Sequence, residues 1–190
     1  MFSFKKRYYF IIESIKDIDL KKIKKRKKFT IIYRNKNISE NRTDLLLFRK
    51  RCKMKAIEFY VANNLNLAVY LRSDGVYLSS HNKSLRVLSL KKLNFKIIGS
   101  AHTHKEIYMK VKQGCKIILL SKLFLVNYDK KSKFLGIIKF NNFLKDFKNI
   151  IPLGGINQNN LTSLKLVNSK GLALMSEIKK KPANIVNRLF

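Results

Sequence analysis

The chain has 190 residues, 46% of them apolar, which is enough for one core of ordinary size, so a single domain over residues 1–190 is expected. Lys and Arg number 42 against 11 Asp and Glu, and the formal charge of +31 favours anionic partners. That charge is spread along nearly every predicted helix. Its densest run, from Lys21 to Lys28, has no aromatic residue interleaved and reads as a solvated helix face, so only weak and unselective binding to nucleic acid is expected.

Cys52 and Cys115 lack metal-type spacing and suit a reducing compartment. No apolar stretch approaches the ~20 residues of a membrane span. The run Tyr8 to Ile12, preceded by Lys5, Lys6 and Arg7, is about half as long as a signal peptide requires, and Glu13 ends it. A cytoplasmic location without a membrane partner is expected.

In chain order, short runs of Ile, Val, Phe and Tyr alternate with longer segments of helical periodicity, the pattern of parallel βα units. The predicted strands are Tyr8 to Ile12, Phe29 to Arg34, Ile57 to Ala62, Gly75 to Leu78, Phe95 to Gly99, Lys116 to Ser121, Ile150 to Gly154 and Gly171 to Met175. The predicted helices are Asp17 to Lys28, Ser39 to Met54, Asn64 to Leu71, Ser84 to Leu93, Thr103 to Gln113, Ile137 to Phe147, Asn157 to Val167 and Glu177 to Arg188, several of them opened by Ser, Thr, Asn or Asp. Eight successive units predict an α/β chain closed as a single compact (β/α)8 TIM barrel. Such barrels usually need about 200 residues or more, so short helices must absorb the deficit. An open doubly wound sheet is the alternative, but its first turn would be rich in glycine, and Glu13 to Asp17 has none.

In a barrel the chemistry sits just past the strands' carboxyl ends. Strand seven runs into Gly154 and Gly155, followed by a helical pattern from Asn157. Paired glycines there can turn bare N–H groups onto an anion, although a tight strand-to-helix turn needs glycine as well. Ser176, opening the last predicted helix, is placed to bind the same anion. After strand two, the period of two puts Arg34 and Lys36 on one side of the chain, where two cations could hold a diphosphate. His102 and His104 stand two apart, but no third ligand lies nearby and a zinc site is not expected.

Several stretches in this order resemble the thiamine phosphate synthase and thiazole tautomerase family of (β/α)8 barrels. They are Asp74-Gly75-Val76-Tyr77-Leu78, Ser100-Ala101-His102-Thr103 with Glu106, the interval from Phe124 to Gly136, Gly154-Gly155-Ile156, and Ala173-Leu174-Met175-Ser176. The resemblance implies that Gly154, Gly155 and Ser176 bind the phosphate of a thiazole phosphate. Arg34, Lys36, Asn63 and Ser100 correspond to contacts of a pyrimidine diphosphate. The family synthase joins hydroxymethylpyrimidine diphosphate to thiazole phosphate and releases pyrophosphate, with Mg²⁺ and cations stabilising the leaving group. That reaction needs no protein nucleophile.

The departures are specific. The family's two magnesium-binding aspartates correspond to Asn64 and Asn82, and a neutral amide is a poorer ligand for a hard cation than a carboxylate. The threonine-rich loop after strand six is replaced by Leu125 to Asp129, leaving Lys130, Lys131 or Lys133 as candidate diphosphate contacts. Lys122 stands where the tautomerase branch carries a histidine that acts as acid and base. It transfers protons only if its pKa is lowered; otherwise it supplies charge. The expected activity is that of the synthase, with thiazole tautomerisation, or a degenerate barrel that binds a phosphorylated ligand, as the alternatives.

Overall fold

The computed structural model describes residues 7–23, 28–35, 40–126, 131 and 133–175, with the backbone alone at 90–93. Eight parallel strands, β1 (Arg7–Ile12), β2 (Phe29–Tyr33), β3 (Glu58–Ala62), β4 (Gly75–Leu78), β5 (Lys96–Ala101), β6 (Ile117–Ser121), β7 (Ile150–Leu153) and β8 (Gly171–Leu174), pair in sequence order. They close where Arg7 to Phe10 of β1 lie in register with Gly171 to Leu174 of β8. The predicted (β/α)8 barrel is therefore observed. Every predicted strand is present, with its ends moved by no more than two residues.

The strands are buried on both faces, which explains why they read as continuous apolar runs. The inner face, at the period of two, carries Tyr9, Ile32, Tyr60, Tyr77, Ile98, Leu119, Ile151 and Ala173, packed as one cluster inside the barrel. The outer face packs Phe10, Ile31, Phe59, Val76, Ile97, Ile118 and Leu120 against the helices. These are α1 (Arg42–Met54), α2 (Leu65–Tyr70), α3 (His104–Lys112) and α4 (Gly136–Asp146).

Three predicted helices are corrected. In its described part up to Ile23, the predicted helix Asp17 to Lys28 is replaced by two 3-10 turns, Ile15–Asp17 and Leu20–Lys22, because the Asp17 carboxylate accepts from the N–H groups of Glu13 and Ser14 at 2.8 and 3.0 Å and Asp19 caps the next turn at 2.9 Å. Those acceptors give the backbone local partners other than a helix. Ser84 to Leu93 is a 3-10 segment, Arg86–Leu93, preceded by the same kind of contact from Asn82 and Ser84. Asn157 to Val167 becomes the turns Gln158–Asn160 and Ser163–Leu166, with Asn157 and Asn160 in a reciprocal capping box. The helix expected at Ser39 starts at Arg42 instead, capped by Asn41. Glu177 to Arg188, the middle of the basic run at 24–27, and Ser39 itself lie outside the described residues. Short 3-10 connections thus close the barrel with so few residues.

The amino-end face is held by ion pairs. Glu58 meets Arg7 at 3.4 Å and Lys96 at 2.5 Å. Asp74, the acid of the Asp-Gly-Val run, accepts from Arg49 at 3.0 Å and from the Phe59 N–H at 2.7 Å, tying α1, β3 and β4 together. Arg49 also donates to the Arg72 carbonyl at 3.2 Å, so this acid is part of the scaffold.

Burial also leaves a pH signature. It pushes the Cys52 and Cys115 thiols and the Tyr9 hydroxyl each up to about 12, and raises Tyr33 and Tyr60 further. The unfolded chain releases these protons at ordinary values while the folded chain retains them, so the associated stability is complete below pH 9 and is lost as pH rises toward about 12. Urea unfolding across that range should show stability falling, and Cys52→Val should fall less steeply than the parent. Equal slopes would contradict the assignment to the thiol.

Candidate active site

Three strands bring their inward-facing polar groups together at the carboxyl mouth. Arg34, the first residue past β2, donates its N–H to the Ile12 carbonyl at 2.8 Å, which fixes the backbone beside β1. Tyr77 of β4 is 2% exposed and Ser100 of β5 is 6% exposed. Burial raises the Tyr77 pKa, while a hydrogen bond with Ser100 and the nearby charge of Arg34 act in the opposite direction. The phenol is therefore a neutral hydroxyl at ordinary pH, linked to Ser100 and close enough to Arg34 to feel its cation. Arg34 and Ser100 thus both stand near the Tyr77 hydroxyl at this end of the barrel. Tyr77 was not singled out as a site residue, although its register on the inward face of β4 points it to this mouth. Lys36 lies outside the described residues.

The loops after β3 and β4 form a second polar wall. Asn63 takes a positive φ of 56°, and its N–H donates to the Tyr77 carbonyl at 2.8 Å. Its side-chain oxygen accepts from the Ser79 N–H at 3.0 Å and from the Asn82 amide at 3.1 Å. Asn64 caps α2 through the Leu67 N–H at 2.9 Å, and the Asn82 oxygen accepts from the Ser84 N–H at 3.0 Å. Together with Asn66, Ser84 and Arg86 they line a cleft of about 500 Å³. Magnesium takes hard oxygen ligands, typically carboxylates, whereas both asparagine oxygens here are neutral and already accept N–H groups. Among the described residues no three His, Cys, Asp or Glu side chains cluster in a metal-binding group. The donor set does not fit the ion.

Across the mouth, the diglycine turn is fastened to the segment after β6. Leu123 and Phe124 donate their N–H groups to the Leu153 and Gly154 carbonyls at 2.9 and 3.1 Å, while Lys122 and Leu123 accept from Leu135 and Gly136, each at 2.9 Å. Gly154 and Gly155 both have positive φ, +92° and +70°. A Cβ on Gly154 would stand 3.3 Å from the Cα and Cβ of Lys122, so the lysine stem runs along the turn. The Gly155 carbonyl accepts from the side chain of Asn160 at 2.7 Å, and among the described residues no hydrogen bond is donated by its N–H. The helix expected to follow is only a 3-10 turn, so a helix dipole adds nothing here.

Ser176 lies outside the described residues, although β7 and β8 pair at Leu153 and Ala173 just before it. Lys131 and Lys133 are exposed, and Lys130 is outside the described residues. His102 faces Ser121, its Nδ1 standing 3.0 Å from the Ser121 carbonyl and 3.1 Å from its hydroxyl, and its N–H donates to Glu106 at 2.6 Å. His104 packs instead against Phe143, with ring centroids 4.1 Å apart. The two histidines thus have different partners.

A Cβ on Gly155 would collide with the carbonyl oxygens of Phe124 and Leu125, which are backbone atoms and cannot rotate aside. Gly155→Ala should therefore lower unfolding stability by about 2 kcal/mol or more, and Gly154→Ala, which meets only tight contacts, by less. Guanidinium unfolding of the two variants provides the comparison. Equal losses would contradict the packing at Gly155.

Comparison with known proteins agrees with the fold. The model of the thiamine monophosphate synthase family matches residues 9–178. A thiamine-phosphate synthase of Prochlorococcus marinus is 32% identical over 131 residues, covering 67% of this chain and 37% of that protein. One from Persephonella marina is 26% identical over 153 residues, covering 78% and 73%. The chain thus spans well under half the length of the Prochlorococcus relative. A thiamine phosphate pyrophosphorylase from Pyrococcus furiosus superposes with a TM-score of 0.73 at 17% identity over 97% of both chains. Phosphoribosyl anthranilate isomerase from Thermotoga maritima follows at 0.68 and 12% identity, a likeness of fold alone. With the family model covering nearly the whole chain, the protein belongs to the thiamine monophosphate synthase family.

Proposed function

We propose that the protein is a thiamine-phosphate synthase, joining hydroxymethylpyrimidine diphosphate to thiazole phosphate and releasing pyrophosphate. The observation that carries this reading is that Tyr77, hydrogen-bonded to Ser100 and within the field of Arg34, lies at the barrel mouth that also holds the diglycine turn. Arg34 supplies fixed positive charge where a diphosphate leaves, and the Ser100 hydroxyl, linked to Tyr77, supplies an oriented donor. The Gly155 N–H meets the phosphate of the thiazole.

The carbon–oxygen bond to the diphosphate breaks with its electron pair going to oxygen, and the thiazole nitrogen lone pair forms the new carbon–nitrogen bond. No proton is exchanged with the protein in that step. The site's work is positioning and stabilising developing negative charge.

A second reading is thiazole tautomerisation, favoured by the one observation that the Lys122 stem runs along the Gly154 turn. It assigns proton transfer to that amine. Incubation with both substrates should yield thiamine phosphate and pyrophosphate, with kcat/KM lowered about 100-fold in Arg34→Gln. No product, with tautomer conversion lost in Lys122→Ala, would establish the second reading. Neither conversion, with thiazole phosphate still bound, would leave a ligand-binding barrel.

A further inference from the structure

Lys110 of α3 is fully enclosed, with 0% of its surface exposed. Its stem passes over Gly99 of β5, where a Cβ would stand 2.8 Å from both Lys110 Cδ and Cys115 Sγ. Only glycine leaves room for it. The ammonium then donates to the carbonyls of Ser79 and Asn82 at 2.7 and 2.6 Å and to the Gln113 amide oxygen at 3.0 Å. Those three acceptors satisfy its three protons. Gln113 completes the arrangement by donating to the Asn82 and Ser84 carbonyls at 3.0 and 2.8 Å.

The loop after β4 is thus wrapped around a positive charge, its carbonyls turned inward as they would be toward a metal. The same loop presents Asn82, whose amide reaches Asn63 at 3.1 Å and so joins the cleft described above. A divalent ion entering that cleft would find neutral amides in front and an ammonium behind the Asn82 carbonyl. Taking both sides of Asn82 together, we propose that Lys110 is a built-in cation that positions the Ser79–Ser84 loop, and that the cleft accepts a diphosphate without a divalent ion. The diphosphate part rests on the synthase reading; the cation part does not. Lys110 is a positioning residue, since it is too enclosed to touch a ligand.

Two probes separate the parts. Electron paramagnetic resonance of Mn²⁺ should show no ion bound by the parent protein. Asn64→Asp combined with Asn82→Asp should bind it about tenfold more tightly when Lys110→Met is added, a gain that a lysine of merely structural role would not produce. Calorimetry with inorganic pyrophosphate should give the parent the same affinity in EDTA as in Mg²⁺. Stoichiometric Mn²⁺ binding by the parent, or pyrophosphate bound only with Mg²⁺, would overturn the proposal, and neither measurement requires a variant that folds. Failure of the parent to bind pyrophosphate under either condition would overturn the diphosphate part and count against the synthase reading, while the effect of Lys110→Met on Mn²⁺ binding by the Asn64→Asp, Asn82→Asp protein decides the role of Lys110, and no gain there would overturn it.

Discussion

Closure of the parallel ladder is the constraint from which the rest follows. Once β8 pairs with β1, every strand must turn alternate residues into a space bounded on all sides, and the residues at the carboxyl ends have only the mouth to face. Tyr9, Tyr60 and Tyr77 fill that interior with aromatic rings, and burial keeps their phenols neutral. Tyr77 differs because its hydroxyl reaches the level of Ser100 and Arg34. A side chain that is core along its ring becomes part of the site at its tip.

The two ends of the barrel have separate work. At the amino end Glu58, Arg7 and Lys96 form ion pairs, and Asp74 binds Arg49 and the Phe59 N–H. At the carboxyl end, Arg34 stands among neutral amides and hydroxyls, and several of the acids there are engaged by the chain itself: Asp17 accepts from the Glu13 and Ser14 N–H groups, Glu40 from the Ser14 hydroxyl and the Ile15 N–H, and Glu106 from the His102 N–H. Arg34 therefore offers an anionic ligand positive charge at that end, where the neighbouring donors are amides and hydroxyls. The high total charge reinforces this attraction over distance without conferring specificity, which must come from fixed donors.

The fold was legible because a strand buried on both faces has no polar alternation to conceal it, and eight such runs recur with turn residues between them. The failures were local. Asn, Ser and Asp at 14–19, 82–84 and 157–160 carry apolar neighbours at helical spacing, but their side chains take up the backbone N–H groups that a helix would leave open. At the mouth, the positions of Arg34, Asn63, Ser100 and the glycines were legible because these residues stand at or near the ends of strands. Tyr77 could have been found by extending the same alternation inward. Lys110 was not legible: on a chain with 42 basic residues a lysine in a helix looks exposed, and only the space over Gly99 reveals that it is buried.

The central claim is that the anion site lies at the carboxyl mouth and is built from strand ends, not from the exposed lysines. Hydrogen exchange of the protein with and without hydroxymethylpyrimidine diphosphate tests it most directly. The account predicts slowed exchange in the segments following β2, β3, β4 and β5, including Asn63, Asn64 and Ser79 to Asn82, and none at the amino ends around Arg7, Glu58 and Lys96. Protection confined to the amino-end face or to the exposed segment at Lys21 and Lys22 would contradict it.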